Sequence, residues 1–233
     1  MPQHTMKRFD EELNELKEHV LSMGGLVERA IGNAVKAMLE QDEELAQKTI
    51  KRDAAINALE VQCDELTREI LVRRQPAAGD LRFILGIIKI VTDLERMGDL
   101  AAGIAEGMLK AQKNPPENFS NLDIMGEKVQ RQVKRTLDAL SRGNTDLALT
   151  VIGKDEGIDT LYKRMYREML TYMMEDPRHI TSAIILSNTA KNLERIADHA
   201  TNIAEMLIYI ERGHDIRHVD HEAAERLLDG EDD

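Results

Sequence analysis

Two pairs of carboxylates offer chemistry in this 233-residue chain: Glu95 with Asp99, and Glu194 with Asp198, each four residues apart. On a helix that spacing places both groups on one face, about 5–6 Å apart at Cβ. Like charges so placed weaken an isolated helix slightly unless a cation or a basic residue lies between them. With 43 acids in the chain, a lone pair at this spacing is uninformative. Repetition carries the signal. The block Leu94-Glu-Arg-Met-Gly-Asp-Leu-Ala-Ala-Gly-Ile-Ala-Glu106 matches Leu193-Glu-Arg-Ile-Ala-Asp-His-Ala-Thr-Asn-Ile-Ala-Glu205 at eight of thirteen positions. Asp155 and Asp159 make a further four-spaced pair, and the corresponding earlier positions hold Asp53 and Asn57. If these groups converge with the motif acids, each half presents three or four oxygens and almost no nitrogen. Such a set suits Mg²⁺, Mn²⁺ or iron and argues against zinc or copper. Neutral Asn57 would hold a cation less tightly. Arg96 and Arg195 repeat along with the acids, so interhelical salt bridges are the alternative reading, and helix register decides between the two.

Other signals lead nowhere. A ferritin-like di-metal centre needs Glu-x-x-His on two helices, whereas the one exact match here, Glu211 to His214, is unrepeated and ends a helix. His214, His218 and His221 are spaced for a transition metal, but they lie in an expected tail with nothing to orient them. His199 follows a motif acid, yet its partner position is Leu100. No phosphate-binding glycine loop, nucleophile elbow or dinucleotide fingerprint is present. Cys63 reads as a helix residue without partner, and the twelve methionines as core filler.

Long helices must position these acids. Hydrophobic residues make up 42% of the chain and aromatics 3%, with no Trp and five prolines, which disfavours a β-sandwich or barrel. Six helical stretches are expected, from about 6–40, 42–74, 80–110, 122–142, 145–174 and 177–212. The first carries Leu13, Leu16, Val20, Met23, Val27, Ala30, Ile31, Ala34 and Met38, mostly at three- and four-residue steps. On the second, Leu45, Ile50, Ile56, Leu59, Leu66 and Ile70 are the expected buried side. Gly24, Gly25 and Gly32 interrupt the first helix without a proline and mark close packing or a mild bend. Asp42 and Asp80 are candidate N-caps, Gln75-Pro76 is a break, and Gly143 and Gly213 are stops. The offset between repeats is 102 residues at Asp53/Asp155 and 99 at the motif, so the first half has about three extra residues between its second and third helices. The expected organisation is a three-helix unit at 1–113, a linker at 114–119, a second unit at 120–212, and a mobile or weakly docked tail at 213–233.

Net charge is −12, with 31 basic against 43 acidic residues. Such a surface repels nucleic-acid phosphates and an anionic bilayer alike. One cysteine, no secretory leader and no apolar run near 18 residues give a soluble, cytoplasmic protein as the expectation.

Two three-helix repeats and the doubled Leu-Glu-Arg-x-x-Asp block resemble the PhoU family, over about Met6 to Arg212. The resemblance implies an all-α fold of two similar bundles, usually dimeric, with no catalytic activity. It implies a cytoplasmic negative regulator of the phosphate-starvation response that links the ATPase subunit of the phosphate ABC transporter to a membrane sensor histidine kinase. It also implies metal at the four-spaced acids, as a single divalent ion or a multinuclear cluster. By position these are Glu95, Asp99, Glu194 and Asp198, then Asp155, Asp159, Asp53 and Asn57. Two rival readings are a carboxylate-bridged metal enzyme and a purely structural helical module.

Overall fold

A computed structural model describes residues 2–111, 120–153, 156–217, 219, 224, 226 and 227. It is all-helical, with no strand among the described residues: α1 (Pro2–Glu40), α2 (Glu43–Arg74), α3 (Ala78–Lys110), α4 (Ser120–Arg142), α5 (Thr145–Ile152), α6 (Glu156–Glu175), a short 3₁₀ turn (Pro177–His179) and α7 (Ile180–Arg212). The expected six stretches are all present, but the fifth is divided into α5 and α6 on either side of a turn at Gly153. The expected linker at 114–119 lies outside the described residues.

Local chemistry sets the boundaries. Asp42 accepts from Leu45 N at 2.9 Å and caps α2. Asn144, the residue 102 positions later, accepts from Leu147 N at 2.9 Å and caps α5. Asp80 does not cap α3. The helix starts earlier, after Ala77, and Asp80 lies in its first turn, where its charge complements the positive helix end. Gly143 and Gly213 adopt φ of +61° and +81°, a conformation open to glycine, and end α4 and α7.

Helices α1, α2 and α3 pack on one another, as do α4, α6 and α7, with α5 bridging α4 and α7. The two halves meet most extensively along α3 and α7, and also at α1 and α4. That second seam shows the repeat in atoms. A Cβ on Gly24 would stand 2.5 Å from Leu137, and a Cβ on Gly126, 102 residues later, would stand 2.6 Å from Val35. Each half thus supplies one glycine and receives one branched side chain at the same contact, so the interrupting Gly24 serves close packing.

Leu94, Ala101 and Ile104 of α3, and Leu193, Ala200 and Ile203 of α7, are essentially fully buried. Burial of a large aliphatic side chain stabilises by roughly 1.5–3 kcal/mol. These residues fix helix rotation, which leaves the motif acids on the flank. Helix α2 differs from expectation. Its buried stripe is Ala46, Thr49, Ile56, Cys63, Thr67 and Ile70, while Leu45, Ile50, Leu59 and Leu66 are only partly buried. Apolar residues surround much of α2, so their periodicity does not single out one face. Of the expected tail, Ile216 and Ala224 are buried in the core, so this segment is docked at those two points. No helix among the described residues is long and apolar enough to cross a membrane.

Two candidate cation sites on paired helices

In the second half, α6 and α7 bring Asp159, Glu194 and Asp198 together, with one carboxylate oxygen from each lying within 4.8 Å of the others. Among the described residues no other three acids, histidines or cysteines converge so closely. Asp198 reaches solvent, yet burial of its carboxyl, followed by the Glu194 and Asp159 charges, pushes its pKa above the ordinary aspartate value. A resident cation partly offsets this crowding. Lys191 Nζ lies 2.5 Å from Glu194 Oε2 and 5.0 Å from the centre of the Tyr162 ring. Arg195, despite its place in the motif, has no carboxylate within 4 Å among the described residues. Asp155 lies outside the described residues.

In the first half the described acids are less convergent. Burial and then the Asp99 charge raise the Asp53 pKa. Its Oδ1 atom is buried without a hydrogen-bond partner, whereas Oδ2 accepts from Asn57 Nδ2 at 3.2 Å. A Cβ on Gly98 would stand 3.2 Å from that Oδ1, so the glycine gives the carboxylate its space. Glu95 is raised by burial, then by Asp99 and Glu60. Arg96 touches both motif acids loosely, 3.5 Å from Glu95 and 3.9 Å from Asp99, and is itself more than half exposed. Among the described residues the motif acids therefore meet cations of their own helix, Arg96 on α3 and Lys191 on α7, rather than the interhelical arginine bridges of the alternative reading.

Glu60 belongs to this group and was not expected from the four-residue pairs. Its pKa is raised by burial, Asp64 and Asp99, and Arg96 opposes that rise. A signal exists in the sequence. Thr49, Ile56, Cys63 and Ile70 recur every seven residues, and Asp53, Glu60 and Thr67 repeat at the same interval on the neighbouring row. Glu60 thus continues Asp53 along the α2 face that meets α3. The equivalent residue of the second half is Tyr162.

All-oxygen donors at these positions, their carboxylate pKa values raised first by burial and then by one another's charge, fit a hard divalent cation. Asp53 Oδ1 is a buried acceptor that such an ion could satisfy. His199 is elsewhere engaged. Its Nδ1 lies 2.8 Å from Asp93 Oδ1, an α3–α7 contact with no counterpart at Leu100. His214 is exposed, and His218 and His221 lie outside the described residues. Cys63 is buried, and burial, with Asp64 and Glu60, pushes its thiol up to about 11.

Comparison with known proteins decides the family. The PhoU domain model matches twice, over residues 20–108 and 122–207. The chain belongs to the PhoU family. A curated relative from Pseudomonas aeruginosa, a phosphate-specific transport system accessory protein PhoU homolog, is 44% identical over 218 residues, which is 93% of this chain and 90% of that protein. The crystal structure of PhoU from Pseudomonas aeruginosa superposes with a TM-score of 0.86 at 44% identity, covering 88% of this chain and all of that one. The phosphate transport system regulatory protein PhoU from Streptococcus pneumoniae gives 0.83 at 33% identity, covering 89% and 98%. Both PhoU domain matches contain their half's motif acids, Glu95 and Asp99 in the first and Glu194 and Asp198 in the second.

Proposed function

We propose that this chain is a cytoplasmic, homodimeric negative regulator of the phosphate regulon and a modulator of phosphate uptake. It acts by contact, between the ATPase subunit of the phosphate ABC transporter and the membrane sensor histidine kinase, and it catalyses no reaction. It binds no nucleic acid, and its place at the membrane comes only through those partners. The observation that carries this reading is the match to PhoU domains in both halves, within relatives named as accessory proteins of phosphate-specific transport. In the test, the gene is deleted and alkaline phosphatase output is measured in phosphate-rich medium. Derepression is expected. Unchanged repression would overturn the regulatory reading.

The acid clusters are the sites of a divalent cation, Mg²⁺, Mn²⁺ or iron. Glu95, Asp99, Asp53 and Asn57 would hold it in the first half, and Glu194, Asp198, Asp159 and Asp155 in the second. When bound, the ion supplies positive charge that ties α2 to α3, or α6 to α7. Asp159, Glu194 and Asp198 provide its oxygens with little rearrangement because they already converge. Lys191 neutralises Glu194 without the ion and must give way to it.

A further inference from the structure

Away from both acid clusters, α4, α5 and α6 line an open cavity of about 290 Å³. Its lining is Lys128, Arg131, Gln132, Arg135, Val151 and Ile158. Three cations therefore face one hollow in a chain whose net charge is −12. Lys128, Arg131 and Arg135 follow one another at three- and four-residue steps on α4, a spacing at which like charges destabilise a helix. Compensation is slight. Arg131 has a loose, exposed contact with Glu127 at 3.8 Å. Lys128 and Arg135 have no carboxylate within 4 Å among the described residues.

The first half supplies an internal control. A cavity of about 390 Å³ is lined there by Leu26, Arg29, Asn33, Thr49, Arg52 and Ile56 among others. Shifted by 102 residues, Leu26 corresponds to Lys128, Arg29 to Arg131, Asn33 to Arg135, Thr49 to Val151 and Ile56 to Ile158. The hollow and one cation, Arg29 or Arg131, are thus products of the repeated architecture, whereas Lys128 and Arg135 are particular to the second half. One further difference fits them. Ala55 of the first half is replaced by Gly157, and a Cβ there would stand 3.2 Å from Lys128 Nζ. The glycine leaves room for the ammonium group to lie across the start of α6.

We infer that the α4–α5–α6 cavity is an anion site for a phosphoryl dianion, either free phosphate or a small phosphate monoester. Lys128, Arg131 and Arg135 line the cavity and can offer the anion's oxygens N–H donors, with guanidinium groups suited to two-point contacts. A carboxylate monoanion would leave most of the positive charge unbalanced. Val151 and Ile158 form an apolar wall against which the carbon part of a monoester could rest. The inference stands on the α4 cations and is independent of metal at the acid clusters.

Titration calorimetry on the full chain, with a chelator present so that no metal phosphate forms, tests this with inorganic phosphate, glycerol 3-phosphate and sulfate at matched ionic strength. Saturable binding of at least one phosphoryl ligand is expected, weaker for sulfate. The arm that binds more tightly identifies free phosphate or ester as the source. The double variant K128Q/R135Q should weaken binding by about tenfold or more, since contacts to charged groups are among the strongest polar ones. R29Q/R52Q in the sister cavity should leave it unchanged. Thermal melts without anion establish that both variants are folded. No saturable binding, equal binding of sulfate, an unaffected K128Q/R135Q, or loss in R29Q/R52Q instead would each overturn the assignment.

Discussion

The acid clusters of the two halves occupy equivalent positions in one repeated fold, yet they solve their charge problem differently. In the second half three carboxylates converge to within 4.8 Å and a lysine sits on one of them. In the first half Asp53, Glu60, Glu95 and Asp99 influence one another without such convergence, and a mostly exposed arginine brushes two of them. Two substitutions account for much of the contrast. Asn57 stands where the second half has Asp159, and Glu60 stands where it has Tyr162. The repeat therefore preserves the helix positions from which a cation could be held, while single residues set how ready each position is.

The largest consequence concerns metal. Mn²⁺ at about a hundred times its dissociation constant should stabilise the fold by about 2.7 kcal/mol per site, which for a chain of this size is about 5–10 °C in melting temperature. Most of that rise should vanish in E194A/D198A and survive in E95A/D99A. A thermal melt in chelator and in Mn²⁺ reads this directly, and equal losses in the two variants would erase the proposed ranking.

The contrast should also be reducible by one residue. N57D restores to the first half the carboxylate that Asp159 provides in the second, and should tighten the weaker Mn²⁺ site by about tenfold, as expected for one added charge near the ion. Equilibrium dialysis on E194A/D198A with and without N57D isolates the effect. No gain would mean that α2 does not present position 57 to the ion.

Part of this arrangement was legible in the residues and part was not. The doubled Leu-Glu-Arg-x-x-Asp block gave the repeat, because eight shared positions out of thirteen include the apolar ones that rotate α3 and α7 into place. Caps at Asp42 and stops at Gly143 and Gly213 were legible because each is a local matter of one side chain or one backbone conformation. The buried face of α2 was not, since its polar stripe residues Thr49 and Thr67 are matched by leucines on other faces. Glu60 went with it, being visible only once that stripe is known. Lys191 was missed for another reason. It lies outside the repeated block, at a position held by Thr92 in the first half, and acts through helix register three residues from Glu194.

A smaller effect distinguishes the resident cations. K191Q should tighten Mn²⁺ binding in the second half by about two- to fivefold, the range of a partly exposed ion pair that no longer competes. R96Q should do less in the first half, because its contacts are longer.

The smallest is a slope with pH. Asp53, Glu60, Glu95 and Asp198 all have folded pKa values raised above their ordinary values of 3.8 or 4.5. For a raised acid, the ionised form is disfavoured by folding. Its destabilising effect is complete above the folded pKa and is relieved as pH falls through it. These groups should therefore make metal-free protein slightly more stable as pH drops from neutral toward 5. Bound Mn²⁺ favours the ionised forms and should reverse the slope. Calorimetric melts between pH 7 and 5, with chelator or Mn²⁺, compare the two signs.

The most direct test of the central claim, that the repeat carries two unequal cation sites, is a Mn²⁺ titration of the metal-free full chain followed by calorimetry. Two classes of site are expected, the tighter one lost in E194A/D198A and the weaker one lost in E95A/D99A. A wild-type chain that shows no saturable binding, or whose binding is unchanged in both variants, would contradict it.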